Sequence, residues 1–271
     1  MTISGGGEKA SYSVGGNYLY QNGIMDTKND YGRLNFRAAL DYDATSWLKV
    51  GFNSVYSRSN QNNPNSAAWQ QAFNAPGIYP VYDENNTAAT PEKFAAPSSV
   101  GFTNNFYNPV ATAYYYKSKN RTQQFLNSYY ADFTILPSRL HFKSAVSYDH
   151  STVEGYVFQP KYYISEQLHL DNNGLTKSMT TYNNYVWDNT LSYNDSWGKH
   201  NFGLMLGQSM REEKYHILYG YANNVPEDEE QYWYVNQGDE NTHKSSEDAY
   251  RYRGLSWFGR LNYNYAGKYY L

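Results

Sequence analysis

The sequence predicts an all-β fold: an antiparallel, up-and-down sheet that crosses a membrane as part of a β-barrel, with long loops at one end. Three observations predict it. Apolar and polar residues alternate with a period of two in segment after segment, with charge confined to one parity. The connections between these segments alternate short and long without exception. Aromatic residues make up 18% of the chain although its mean hydropathy is −0.82, so rings are placed deliberately on an otherwise polar chain.

Each strand follows from its own alternation. In 33–42, Leu34, Phe36, Ala38, Leu40 and Tyr42 oppose Arg33, Asn35, Arg37 and Asp41. In 47–57, Leu48, Val50, Phe52 and Tyr56 oppose Lys49, Gly51, Asn53 and Ser57. The same split recurs in 140–149 (Leu140, Phe142, Val146, Tyr148), in 201–210 (Phe202, Leu204, Leu206, Met210) and in 255–265 (Leu255, Trp257, Leu261, Tyr263). Three strands are noisier: 11–20 on Tyr12, Val14, Tyr18 and Tyr20, 125–136 with Asn127 out of pattern, and 185–194 with Asn189 out of pattern. Thr2–Ser4 and Lys268–Leu271 read as partial strands, making eight full strands and a stub at each end.

The connections carry direction. Short turns at 5–9, 44–46, 137–138, 195–199 and 266–267 alternate with long stretches at 21–31, 59–122, 151–181 and 215–251. Outer-membrane barrels have short periplasmic turns and long extracellular loops, so the long stretches are expected outside the cell. Strands of about ten residues at ~3.3 Å rise, tilted ~40°, span roughly the 25 Å lipid-facing band. Their apolar faces end in rings such as Tyr18, Tyr20, Tyr42, Tyr56, Tyr148, Tyr193 and Tyr263, where barrels place aromatic girdles. A soluble antiparallel sheet wetted on one face alternates similarly, so a secreted β-rich glycan-binding or adhesin module is the alternative.

Composition narrows the function classes. The net charge of −3 gives no global basic field for a nucleic-acid partner. With no Cys, disulfide frameworks, thiolate zinc sites and Cys nucleophiles are excluded. No apolar run approaches the ~20 residues of a membrane helix. Thr2 to Lys9 has neither the basic nor the apolar region of a signal peptide. No nucleophile elbow, zincin motif, phosphate loop or dinucleotide fingerprint occurs, and no catalytic residue, cofactor or metal is assigned. Of the six His, only Asp149-His150 and Asp239-Glu240 with His243 make local acid–histidine pairs, and solvation is the expectation for each. The run Glu227 to Glu230 lacks the spacing of a Ca²⁺ loop and is expected to be a solvated loop face.

The residues also resemble a family. Ser4 to Tyr12 followed by Gln21-Asn22-Gly23-Ile24, Tyr31 to Arg37 and Trp47 to Gly51 are similar to early barrel segments of SusC-like TonB-dependent outer-membrane transporters. Pro80-Val81-Tyr82-Asp83, Asn108-Pro109-Val110-Ala111, Phe258 to Tyr263 and Gly267-Lys268-Tyr269 fit the same family in the same order. The resemblance implies that residues 1–271 are about half of a 22-stranded barrel domain. The signal peptide, the TonB-contacting segment, the plug and the later strands would be absent from this stretch. It further implies import of oligosaccharides or peptides, energised through TonB, with outer-membrane lipid around the barrel and a SusD-like surface lipoprotein as partner.

Two residue sets carry these expectations. Arg33, Arg37, Asp41, Lys49, Asp132, Lys143, Asp188 and Arg260 are expected to face the plug or lumen water. The stretch from Trp69 to Tyr116 is rich in rings and amides, which suit the apolar faces and polar edges of sugars and peptides. Within it, Trp69, Phe73, Tyr79 and Tyr82 are the candidates for substrate or lipoprotein contact; loop packing is the competing role.

Overall fold

The structure, a computed structural model, describes residues 1–103, 106–227 and 229–271. Among these residues ten strands form one antiparallel meander: β1 (Thr2–Gly6), β2 (Ala10–Asn22), β3 (Asp30–Asp43), β4 (Leu48–Asn62), β5 (Lys117–Leu136) and β6 (Leu140–Gln159), then β9 (Gly174–Trp197), β10 (His200–Asn223), β11 (Lys244–Tyr265) and β12 (Tyr269–Tyr270). A separate small hairpin, β7 (Tyr162–Ser165) and β8 (Leu168–Leu170), sits between β6 and β9. No described helix is long and apolar enough to cross a membrane. All eight full strands and both stubs expected from the sequence are present.

The strands outrun their alternation at the long-loop end. β5 begins at Lys117, β6 runs on to Gln159, β9 begins at Gly174, β10 continues to Asn223 and β11 begins at Lys244. The stretch 117–124 reads Lys-Ser-Lys-Asn-Arg-Thr-Gln-Gln, polar on both faces. Outside the hydrocarbon both faces meet water or protein, so the apolar signal stops while the backbone ladder continues. The long connections therefore shrink to 63–116, 160–173 and 224–243.

Register separates the two faces. Tyr12, Leu40, Phe52, Tyr129, Val146, Trp187, Met210 and Leu255 lie opposite one another in a single row across eight strands. Leu48, Phe133, Phe142, Leu191 and Leu206 form a parallel row four residues along. The eight charged residues expected in the lumen all take the other parity, with Lys49, Asp132 and Lys143 in one row. The apolar face is the lipid-facing one, and its side chains stay uncovered: Leu206 is 54% exposed, Leu261 60% and Trp257 75%.

The apolar band slants across the sheet. On β2 it runs from Tyr12 to Tyr20, centred on Gly16, which aligns through Phe36 with Tyr56 of β4. On β11 it runs from Leu255 to Tyr263, centred on Gly259, which aligns through Leu206, Leu191, Phe142 and Phe133 with Leu48. The centre thus moves from position 56 to position 48 of β4 over seven strand-to-strand steps. At ~3.3 Å per residue against ~4.8 Å between strands, that is a tilt of about 38°, inside the range of membrane barrels. The sequence and the register therefore agree on how the sheet sits in a bilayer.

Polar residues inside the band are paired sideways. The Ser54 hydroxyl donates to Asn127 Oδ1 at 2.7 Å, Trp187 Nε1 donates to Ser144 at 2.9 Å, and Asn189 Nδ2 donates to Gln208 Oε1 at 3.4 Å. Hydrocarbon offers no water to an unpaired group, so these pairs explain how Asn127 and Asn189 can break the alternation.

The buried core lies elsewhere, beyond the band. One cluster joins Phe94, Ala96, Ala111, Tyr115 and Ile164, and another joins Phe158, Leu175, Ala222, Val225 and Trp233. No buried apolar residue among those described belongs to the lipid-facing rows. This is the distribution expected when lipid, rather than protein, covers the strands.

Candidate substrate-binding face

The connection 63–116 folds as a compact unit with β7 and β8. It contains α1 (Ala67–Asn74) and α2 (Pro109–Tyr114). Pro109 at the first helical position and Asn108 before it start α2: Asn108 Oδ1 accepts from the Val110 and Ala111 N–H groups, both at 3.2 Å. The same buried side chain donates through Nδ2 to the Val81 carbonyl at 2.8 Å. Asn86, also buried, donates to the Phe94 and Ile164 carbonyls at 2.8 and 3.1 Å, tying the unit to β7. Tyr115 stacks flat on Tyr162 at 4.4 Å, interplanar angle 1°. Six prolines in this stretch keep it out of the sheet ladder.

The four candidate rings separate within this unit. Tyr79 is a packing residue on one side: its hydroxyl donates to the Ala95 carbonyl at 2.6 Å, and its ring meets Phe106 edge-on at 4.7 Å. Burial pushes its hydroxyl pKa up to about 12, partly offset by the hydrogen bond with Asn108. Tyr82 stacks on the buried Phe94 at 5.0 Å and keeps its other face to solvent. Trp69 and Phe73, one turn apart on α1, stand half-exposed and 91% exposed. The candidates thus comprise one interior ring, one lid ring and an exposed pair.

A second set of rings escaped the sequence reading. Tyr182, Tyr215 and Tyr250 are opposite one another on β9, β10 and β11, on the polar face and beyond the apolar band. Tyr182 and Tyr215 are 5.2 Å apart, and Tyr215 and Tyr250 stack at 5.0 Å, interplanar angle 17°. The row continues into Ser151, Gln124, Ser57 and Asn35 on the neighbouring strands, so flat rings adjoin amides and hydroxyls. Such a row can stack on a sugar or peptide group and hydrogen-bond its edges. All three tyrosines fall where the alternation had already ended, which hid them; their cross-strand alignment was visible only with the register.

The remaining titratable pairs do not assemble. Asp149 and His150 point to opposite faces: Gln124 donates to Asp149 on one side, while His150 Nδ1 lies 2.8 Å from Asn183 Oδ1 on the other. Asp239 accepts from the Asn241 N–H at 3.0 Å as a turn cap. Of the acidic run, Asp228 lies outside the described residues. Glu227 accepts from the Lys161 N–H and from Asn173, and Glu230 pairs with Lys119 at 3.2 Å, so these carboxylates pin a loop. No described group of three acidic, His or Cys residues could hold a metal ion.

Over 279 aligned residues covering all of this chain, it is 27% identical to TonB-dependent receptor P26 of Formosa agariphila. Along its whole length the chain is similar to a segment of a TonB-dependent receptor. TonB-dependent receptor P3 of the same organism is 24% identical over 99% of the chain. The chain spans about a quarter of the length of these relatives, 26% of each. The fold matches the solved RagAB peptide transporter with a TM-score of 0.74 at 18% identity, covering 98% of this chain and 30% of that one. The open-open state of the RagAB peptide importer gives 0.73 at 17% identity, over 98% of this chain and 29% of that one. No protein-family model matches the chain. The resemblance to SusC-like transporters drawn from the sequence holds, and with it the outer membrane as the location; the relatives carry receptor names, not enzyme names.

Proposed function

We propose that residues 1–271 form part of the barrel wall of a TonB-dependent outer-membrane transporter that imports oligosaccharides or peptides with a SusD-like lipoprotein. The observation that carries the reading is the collection of rings and amides at the long-connection end of a lipid-fitted sheet. There the Tyr182–Tyr215–Tyr250 row and the 63–116 unit present aromatic faces beside hydrogen-bonding groups. Likeness along the whole chain to TonB-dependent receptors supports energised transport. The RagAB neighbours, a peptide transporter, support peptides as the first substrates to try. Trp69, Phe73 and Tyr82 are the loop rings assigned to substrate or lipoprotein contact, and Tyr79 supports them from within.

The test is uptake and ligand affinity of the full-length protein after Trp69→Ala, Tyr82→Ala and Tyr215→Ala, with assembly checked by heat-modifiable gel mobility. Ring truncation at a contact is expected to cost ~1–2 kcal/mol, or roughly 5- to 30-fold in affinity. Unchanged uptake and affinity in all three, with normal assembly, would remove these rings from the binding surface.

A further inference from the structure

Cations gather on the lipid-facing parity directly beyond the outer edge of the apolar band. Within two lipid-facing positions of that edge stand Arg58, Arg121, Lys214, Arg251 and Arg253, against the carboxylates Asp30 and Glu212. Three of the five cluster on β10 and β11. Lys214 lies directly opposite Arg251, and Arg253 directly opposite Glu212. Glu212 binds all three: Lys214 Nζ at 2.9 Å, Arg251 Nη2 at 2.8 Å and Arg253 Nε at 2.8 Å. The carboxylate is only 22% exposed, while the cations are 44%, 50% and 63% exposed. Glu212 therefore sits behind a cationic front.

One carboxylate leaves this group with two uncompensated positive charges. Like charges directly opposite on neighbouring strands are destabilising unless an anion covers them. The donors are not exhausted either. Arg251 contacts Glu212 through Nη2 and Arg253 through Nε, which leaves most of each guanidinium fork free among the described contacts. Arg253 is two residues and Arg251 and Lys214 are four residues beyond the band's last apolar positions, Leu255 and Met210. At ~3.3 Å per residue and a tilt near 38°, that is about 5 to 10 Å above the hydrocarbon, the depth of lipid head groups. Guanidinium forks match phosphate oxygens bidentately, and basic clusters at this depth attract anionic lipids.

We propose that Lys214, Arg251 and Arg253, gathered around Glu212, form a site for the phosphate of a lipid head group in the outer leaflet. In the lipid-free protein Glu212 offsets part of the repulsion among the three cations, a role the bound phosphate takes over, so the carboxylate itself is not needed for lipid binding. The assignment rests on the membrane orientation of the sheet, not on the identity of the transported substrate. A soluble phosphate compound shares the chemistry, but the adjoining apolar rows commit the site to a lipid, whose acyl chains would lie along Leu255 and Met210.

The experiment is native mass spectrometry of the full-length protein in neutral detergent, titrated with bis-phosphorylated lipid A, with its dephosphorylated form and with inorganic phosphate. Lipid A is expected to bind, with affinity at least 10-fold lower in the Lys214→Gln/Arg251→Gln/Arg253→Gln variant and in 0.5 M salt. Dephosphorylated lipid should not bind, and inorganic phosphate should not displace lipid A. Glu212→Gln, which adds a charge, should hold or strengthen binding, and Arg260→Gln on the polar face should leave it unchanged. Undiminished lipid A binding by the triple variant would overturn the proposal. So would a Glu212→Gln loss equal to that of the triple variant, which would make the cluster a structural ion network. Displacement by inorganic phosphate would overturn the lipid assignment. Should the triple variant not assemble, Arg251→Gln alone is read against the same outcomes. Equal bilayer depths for positions 12, 52 and 210, which share one row of the sheet, would instead remove the orientation on which the site rests.

Discussion

Leu206 is the position where lipid exposure can be tested by stability. It lies at the centre of the β10 band, four residues from both Phe202 and Met210, and its side chain touches no buried cluster. At ~3.3 Å rise and a tilt near 38°, it is about 10 Å from either edge, close to the bilayer midplane. Arginine there meets hydrocarbon and is expected to cost ~2–4 kcal/mol, falling to ~0–1 at the edge. Leu206→Arg should therefore lower the folding equilibrium by roughly 30- to 1,000-fold. Phe202→Arg should lower it far less. Ser209→Arg, on the polar face opposite Asp188, should be near neutral. The assay is denaturant unfolding of the full-length protein in liposomes, followed by tryptophan fluorescence and heat-modifiable mobility. Equal costs at Leu206 and Ser209, or a larger cost at Ser209, would refute the assignment of faces.

Two more perturbations probe local arguments. Ser54→Ala removes the partner of Asn127 in the lipid-facing band and should destabilise by ~1–3 kcal/mol, whereas Ser54→Ala/Asn127→Leu should recover most of that; unfolding midpoints decide it. The Glu230 carboxyl is raised by its burial but lowered more by hydrogen bonds from Tyr156 and Lys119 and by the Lys119 and Lys28 charges, leaving it below its ordinary 4.5. A carboxylate lowered in the folded state contributes its stabilisation above that ordinary value and loses it as pH falls through the lowered one. Hydrogen exchange in 224–243 should thus accelerate on acidification below pH 4.5, and Glu230→Gln should show the fast rate at neutral pH.

How much of this was legible in the sequence follows from what each signal reports. Parity was legible because hydrocarbon enforces it: Leu34, Phe36 and Leu40 had to share a face, and Arg33 and Arg37 the other. Loop alternation was legible because only one end of the sheet is free to grow. The strand extensions were not, since outside lipid Lys117 to Gln124 needs only its backbone ladder. Asn127 and Asn189 read as noise because their partners, Ser54 and Gln208, come from other strands. The Tyr182–Tyr215–Tyr250 row stayed hidden for the same reason: its meaning lies in register across three strands. Composition also drew attention to the loop rings, where Tyr79 proved to be loop core.

This sheet crosses a bilayer at a slant, and one row of residues puts that orientation to the test. Tyr12, Phe52 and Met210 share a single hydrogen-bonded row, yet the slant sets Tyr12 at the short-turn edge of the band, Phe52 at its centre and Met210 at the long-loop edge. With eight residues separating the two extremes along a tilted strand, their depths should differ by about 20 Å. The measurement is depth-dependent quenching of single fluorescent labels at 12, 52 and 210 in the full-length protein reconstituted in vesicles. Quenching should be deepest at 52 and shallow at 12 and 210, with the latter two reached by water-soluble quenchers from opposite sides. Equal depths along the row, or labels that lipid-borne quenchers never reach, would contradict it.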